Sequence, residues 1–271
     1  MKFRQIAFVI CLALLLFSCI KEEREKCPTY LTIDLSGTPA EVDSLYLILQ
    51  YEDGQYFRDT IRKENLTADY EIAVPRGSAT IAAYGNISRM IYDHGYITPH
   101  GSPSDNIYTY FSEGEYLSDL SSDTITVTKN SMAIHAKVLG AVRASEGLKA
   151  EFIGSNTGYS IYGALTEGEF YHSPESSHIP TDAEDYYLFL SRVTRHASDS
   201  QLLLRLSTRY PGMETQTTLL EISIPEKLAQ GGISFSDPIL QDLYLTIDHS
   251  RSTITISVDD FDSMEHVEVE F

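Results

Sequence analysis

The feature that most constrains this chain is a period-two alternation of apolar and polar residues, repeated in short segments along most of its length. Successive side chains of a β-strand point to opposite faces of a sheet, so this alternation is typical of strands with one buried face. Gly, Pro, Asp, Asn or Ser, which favour turns, bound nearly every segment. The clearest segments are residues 31–35, 70–74, 79–83, 125–127, 134–138, 187–189, 202–206, 220–224, 243–247 and 254–258.

These segments predict an all-β protein of two tandem β-sandwich domains, because 271 residues are more than one modest sandwich requires. We expect an N-terminal domain over residues 29–130 and a C-terminal domain over residues 131–271. A helix is predicted only at residues 225–230, where Pro225 suits a first turn. Residues 90–115 lack clean alternation and are rich in Gly, Pro, Ser, Asp and Tyr, which predicts a long loop on the first domain.

The N-terminus has the features of an export signal. Lys2 and Arg4 precede an apolar run at residues 6–17, and this run is too short to span a membrane comfortably. Residues 16–19 resemble a bacterial lipoprotein box, in which the signal is cut before a cysteine that then receives acyl chains such as palmitate. We therefore expect a signal peptide over residues 1–18 and a lipid on Cys19; a plain secretory signal is the alternative.

Residues 19–28 predict a flexible tether between this lipid and the folded domains. The segment is charged and contains few apolar residues, which suits a solvated linker. Lys21, Glu22 and Glu23 resemble the export tag that sends some Gram-negative lipoproteins to the outer face of the outer membrane. Buried acyl chains contribute about 0.8 kcal/mol per methylene, so the predicted location is a durable attachment to the outer membrane with the protein exposed at the cell surface.

Composition excludes several classes of function. The formal charge is −19, from 39 acidic and 20 basic side chains, and such a surface repels nucleic-acid phosphates. The sequence contains no G-x-S-x-G, H-E-x-x-H, S-x-x-K or phosphate-loop motif, and its His residues have no tight metal-ligand spacing. We therefore expect no enzymatic activity, no catalytic residue, no metal site and no cofactor.

Two surface features permit other interpretations. Residues 259–265 contain four carboxylates, but they lack the spacing of a calcium-binding loop, and a charged turn is favoured. The chain also has 18 Tyr and no Trp. Sugars stack on aromatic faces, so residues 108–110 and 186–187 could form a glycan platform, although strand residues explain them equally well.

Several short segments, taken together, resemble one known family. They are the signal with Cys19, the acidic tag, the sequence Cys-Pro-Thr-Tyr-Leu-Thr-Ile-Asp at residues 27–34, and the late strand at residues 254–261. The whole chain is similar to the FimB/Mfa-type fimbrillin-like anchor lipoproteins of bacterial fimbriae. Phe261 stands where many relatives have Trp, which keeps an aromatic residue at that position.

The resemblance implies a pilus whose subunits each have two transthyretin-like, Greek-key β-sandwich domains. In such pili a stalk subunit loses its first strand to an arginine-specific protease, and the open groove accepts a strand from a neighbour's C-terminus. An anchor would keep both its lipid and its first strand. This sequence fits an anchor, because no arginine lies between Arg24 and Arg58 and the first strand cannot be released alone.

The C-terminus is a candidate donor strand. In residues 264–271, Val267, Val269 and Phe271 alternate with polar residues, so one face is apolar and the other acidic. The segment could fill a neighbour's groove or close its own sheet, and both alternatives remain open on the sequence.

The sequence and the resemblance together predict a fimbrial anchor or assembly-terminating subunit, joined to stalk pilin by β-strand complementation. Its expected partners are fimbrial stalk or accessory pilins and the outer membrane, with host or bacterial surface receptors as further candidates. One alternative is a tip or accessory pilus subunit with a role in cell adhesion. The other is a glycan-binding surface lipoprotein.

Overall fold

The structure is a computed structural model that describes residues 27–66, 69–88, 91–92, 95–139, 147–180, 185–197, 201–230, 232–248, 253–257 and 267–270. These residues form twenty β-strands and one α-helix. The elements are β1 (Thr29–Asp34), β2 (Ser44–Tyr51), β3 (Tyr56–Arg62), β4 (Tyr70–Val74), β5 (Gly77–Gly85), β6 (Ile91–Tyr92), β7 (Gly95–Ile97), β8 (Tyr108–Tyr116), β9 (Leu120–Thr124), β10 (Thr128–Lys129), β11 (Ser131–Leu139), β12 (Leu148–Tyr159), β13 (Leu165–His172), β14 (Ser177–Ile179), β15 (Tyr186–Thr194), β16 (Leu202–Thr208), β17 (Thr217–Ser223), α1 (Ile224–Gln230), β18 (Leu243–Asp248), β19 (Thr253–Ser257) and β20 (Val267–Glu270).

The first sandwich packs a three-stranded sheet, in the order β4-β1-β9, against a five-stranded sheet, in the order β10-β8-β5-β2-β3. The inward-facing side chains of the alternating segments form its core. Leu31 and Ile33 of the smaller sheet lie in one buried cluster with Leu47 and Ile81 of the larger sheet. The period-two pattern therefore places one face of each sheet in the core and the other outside it.

The second sandwich packs the sheet β14-β15-β11-β18-β19-β20 against the sheet β17-β16-β12-β7-β6, in which β13 also pairs with β12. Phe152, Phe170 and Phe189 occupy its core. The predicted helix is confirmed as α1. Ile224 and Leu228, one helical turn apart, are buried in the same core.

The two sandwiches repeat one strand order. In the first, β1 pairs antiparallel with β4 and parallel with β9. In the second, β11 pairs antiparallel with β15 and parallel with β18. The facing sheets repeat as well, since β3-β2-β5-β8 corresponds to β13-β12-β16-β17. The predicted all-β fold of two transthyretin-like sandwiches is confirmed.

The predicted loop at residues 90–115 is partly wrong, because it contains three strands. β8 lies inside the five-stranded sheet of the first sandwich, while β6 and β7 extend the β12 sheet of the second. Tyr108 and Thr109, at the start of β8, are neighbours in sequence and are both buried. A strand covered on both faces shows no polar–apolar alternation, so the sequence pattern did not reveal it.

A third buried cluster joins the two sandwiches. Ile48 and Tyr84 belong to the five-stranded sheet but lie in this cluster instead of the first core, together with Tyr96, Tyr159 and Ile161. Tyr84 and Tyr96 have no exposed surface. Part of the outer face of the five-stranded sheet, around Ile48 and Tyr84, is thus covered by residues of β7 and of the β12 end.

Polar contacts surround this cluster and centre on Asn130, between β10 and β11. The Tyr159 hydroxyl donates a hydrogen bond to the Asn130 carbonyl at 2.7 Å. Arg195 donates to the Asn130 side-chain oxygen from Nε at 3.0 Å and from Nη2 at 2.8 Å, and to the Asp237 carbonyl at 2.8 Å. Burial raises the pKa of Tyr159 above its ordinary value, so its hydroxyl stays a donor.

We predict that Gly158→Ala disrupts the junction between the sandwiches. Gly158 pairs with Ile97 of β7, and a Cβ at this position would overlap the backbone carbonyl of Tyr96. Backbone cannot move aside cheaply, so the free energy of unfolding should fall by about 3 kcal/mol. Urea denaturation measures this change.

Gly54→Ala is the matched control for this prediction. Gly54 has a φ of 79° and no atom within 4 Å of its would-be Cβ, so the substitution should cost only about 1 kcal/mol through the left-handed backbone. A loss for Gly158→Ala no larger than that of Gly54→Ala would contradict the assigned role of the junction.

Candidate functional site

The first strand, β1, occupies the centre of the three-stranded sheet. It is in register with β4 over five residue pairs and with β9 over five more. Leu31, Ile33 and Leu35 have no exposed surface. Since β1 is bonded along both edges and fills the core from its inner face, the first sandwich is complete and has no vacant groove at this position.

β1 is also the strand that holds its sheet together. Among the described strands, β4 and β9 each pair only with β1. Without β1, β4 and β9 would both become isolated edge strands. Leu47 and Ile81 of the facing sheet would also lose the side chains of β1 that cover them. An open groove of this kind is a site to which an extended strand can add.

Arg76 fixes the point at which the chain enters β1. Its Nε donates to the Cys27 carbonyl at 3.1 Å, and its two terminal nitrogens contact the Leu117 carbonyl and the Asp119 carboxylate. The Tyr30 amide donates to the Asp119 carbonyl at 3.1 Å. One partly buried guanidinium therefore ties the start of the first strand to the loop before β9.

We predict that Arg76→Ala loosens the start of β1. Charge-assisted bonds contribute about 1.5–3 kcal/mol each, less when exposed, so amide exchange at Tyr30 and Leu31 should become at least about tenfold faster. Hydrogen exchange followed by mass spectrometry measures it. Arg205→Ala is the control, because Arg205 pairs with Glu221 at 2.6 Å on the second sandwich; equal effects of both variants on β1 would contradict the prediction.

The next arginine after the predicted tether lies in a different sheet. Arg58 is part of β3 and pairs with Ile48 of β2. Proteolysis there would cut the β2–β3 hairpin and would not release β1 by itself. The position of Arg58 therefore agrees with the sequence argument that this chain keeps its first strand.

The C-terminal segment lies at a sheet edge. β20 pairs antiparallel with β19 through four residue pairs, from Thr253 with Glu270 to Ile256 with Val267, and it has no second neighbour among the described strands. In this arrangement the segment extends its own sheet. The candidate donor residues Val267 and Val269 fall on β20, and Phe271 lies outside the described residues.

The other predicted site residues lie outside the part of the chain that the structure describes. These are Cys19, Lys21, Glu22 and Glu23, together with the carboxylate cluster at residues 259–265. The described ranges contain no helix with the length and apolar character needed to cross a bilayer. They also contain no group of three or more His, Cys, Asp or Glu residues arranged to hold a metal ion.

Tyrosines of both predicted aromatic pairs make contacts within the protein. Tyr108 is buried in the first core, and Tyr187 packs against the second. The Lys137 ammonium lies 4.5 Å from the centre of the Tyr186 ring. These contacts fit the explanation that the tyrosines are strand residues.

Solved structures with the same architecture come from bacterial surface proteins. The fimbrial anchor protein Mfa2 of Porphyromonas gingivalis superimposes with a TM-score of 0.63 at 14% identity, covering 86% of this chain and 98% of that one. A proposed adhesin of Bacteroides thetaiotaomicron gives a TM-score of 0.59 at 14% identity, covering 85% and 96%. A proposed polysaccharide-binding protein of the same species gives 0.59 at 14% identity, covering 89% and 99%.

These likenesses establish a shared fold over nearly the full length of each relative. The resemblance predicted from the sequence is thus confirmed at the level of fold, since a fimbrial anchor is among the proteins with this architecture. No family model matches the chain, and no curated protein sequence matches it either.

Proposed function

We propose that this protein is a cell-surface fimbrial anchor or assembly-terminating subunit, attached to the outer membrane by a lipid on Cys19. The proposal rests on the position of β1, which is the central strand of the three-stranded sheet and follows directly after the predicted tether. A subunit that retains this strand has no acceptor groove. Polymer growth therefore stops at this subunit, next to the membrane.

The C-terminal segment is the proposed donor. An anchor without an acceptor groove can still join the stalk by donating a strand to it. The position of β20 at the edge of its sheet suits it to be that strand. It is bonded along one edge through four residue pairs, whereas β1 is bonded along two edges. Releasing β20 breaks a single ladder and leaves the rest of its sheet paired.

We predict that the apolar positions of the C-terminal segment are required for stalk binding. The double variant Val267→Asp/Val269→Asp should reduce co-isolation of a fimbrillin-like stalk subunit at least about tenfold, because alternate side chains give strand addition its specificity. The control is Glu268→Gln/Glu270→Gln, which changes the interleaved positions and should retain binding. The measurement is affinity isolation from outer membranes followed by mass spectrometry.

Deletion of residues 264–271 provides the decisive comparison. If stalk binding survives in a deletion variant whose thermal unfolding is cooperative, the segment closes its own sheet and is not the donor. If transporter components are recovered in place of any pilin, the anchor proposal fails, and a glycan-binding surface lipoprotein becomes the better explanation.

We predict that Cys19→Ala abolishes membrane attachment. The wild-type protein should incorporate labelled palmitate and enter the detergent phase on Triton X-114 partition, and the variant should do neither. Cys27→Ala is the matched control, since the backbone carbonyl of Cys27 contacts Arg76 and the substitution preserves that carbonyl. If the Cys19→Ala variant incorporates as much palmitate as the wild-type protein, Cys19 is not the lipidated residue.

A further inference from the structure

The outward face of the three-stranded sheet has an apolar row at one end. Tyr30 of β1 is in register with Ala73 of β4 and with Leu120 of β9, and Leu117 lies just before β9. The exposed fractions are 49% for Tyr30, 59% for Leu117 and 75% for Leu120, and Ala73 is exposed as well. We call these four residues the tether-side rim.

The apolar character is confined to this end of the sheet. One step further along the same face, Thr32 is in register with Glu71 and Ser122. Beyond them, Asp34 is in register with Thr124. The face therefore changes from apolar at the rim to polar and acidic within two residues, so it is not a continuous hydrophobic surface.

Two rim residues, Tyr30 and Leu117, lie near the place where the chain leaves toward the predicted lipid. Arg76 joins the Cys27 carbonyl to the loop that contains Leu117 and Asp119. The Thr29 hydroxyl contacts the Ser118 carbonyl in the same loop. Cys27, the first described residue of the tether, is thus tied through Arg76 to the backbone of Leu117 and the carboxylate of Asp119.

The length of the tether brings this place close to the bilayer. Seven residues lie between Cys19 and Cys27, so the eight residue-to-residue steps limit the span to about 28 Å when fully extended. A flexible chain of that length has a root-mean-square span of about 16 Å. A lipid on Cys19 would therefore hold the start of β1 within about 28 Å of the bilayer surface.

We propose that the tether-side rim docks on the membrane interface, with Tyr30 at the level of the headgroups and Leu117 and Leu120 at the acyl boundary. Tyrosine is enriched at such interfaces because its ring is apolar and its hydroxyl is polar. The proposal rests on lipidation at Cys19. It adds a second contact, which orients the first sandwich relative to the membrane and is distinct from the lipid itself.

A lipid surface suits the rim better than a protein partner does. A stable protein interface buries about 1,200–2,000 Å² in total, which is more than four side chains at the end of a small sheet supply. A membrane contact need not be strong by itself, because the attached lipid already holds the rim at a high effective concentration near the bilayer.

The absence of Trp from the chain allows a direct test. Leu120→Trp places a single fluorophore in the rim, and Leu190→Trp places one at an exposed leucine of β15 in the second sandwich, 51% exposed. The full lipoprotein is reconstituted in vesicles of phosphatidylethanolamine and phosphatidylglycerol in which part of the phosphatidylethanolamine carries shallow acyl bromines. We expect bromine quenching of Leu120→Trp to exceed that of Leu190→Trp by at least about twofold.

The outcomes separate the rim from the lipid. If the protein floats with the vesicles and its Cys19 peptide is acylated, but both fluorophores are quenched equally, rim docking is wrong and lipidation stands. If the fluorophore at residue 120 is shielded from bromolipid and from aqueous acrylamide alike, a protein covers the rim and the membrane proposal is wrong. If the protein neither floats nor carries acyl mass, both proposals fail.

Leu117→Trp repeats the test at a second exposed rim position and guards against a local effect of the first substitution. Preferential quenching at both rim positions supports docking. If neither tryptophan is quenched by bromolipid in a protein that floats and is acylated, the docking proposal is wrong.

Discussion

The structure depends first on the double hydrogen-bonded ladder of β1. A strand in the middle of a sheet satisfies the backbone groups of two neighbours, whereas an edge strand satisfies those of one. In the first sandwich the two neighbours, β4 and β9, have no other described partner. The completeness of the whole domain therefore depends on six residues at the very start of the folded chain, immediately after the predicted tether.

The two ends of the folded chain differ in the same physical terms. β1 is central and its Leu31 and Ile33 side chains are fully buried, so losing it would break two ladders and expose a core. β20 is peripheral and pairs with β19 alone, so losing it would break one ladder. The proposed anchor role would use this asymmetry, with a retained strand at the membrane side and a donated strand at the side of the stalk.

Much of the fold was predictable from local pattern, because the alternation at residues 31–35 or 243–247 reports one buried face directly. The local sequence also predicted α1. It shows directly that no arginine lies between Arg24 and Arg58. It did not reveal β7 or the burial of Tyr108 with Thr109, since these depend on a second sandwich covering the first. It also gave no indication of Arg76, whose role depends on contacts with residues some 40 positions away.

The buried junction joins the sandwich that contains β1 to the sandwich that contains β20. In the proposed anchor, tension at the tether would enter β1 and be shared by the ladders to β4 and β9 on its two edges. It would leave the first sandwich through the junction of Tyr84, Tyr96 and Tyr159 and the bonds of Arg195 to Asn130. In the second sandwich, β11 lies next to β18, which leads through β19 to the C-terminal strand. A tyrosine-rich core with satisfied hydroxyls suits this position, because packing and hydrogen bonding must fail together before the two sandwiches separate.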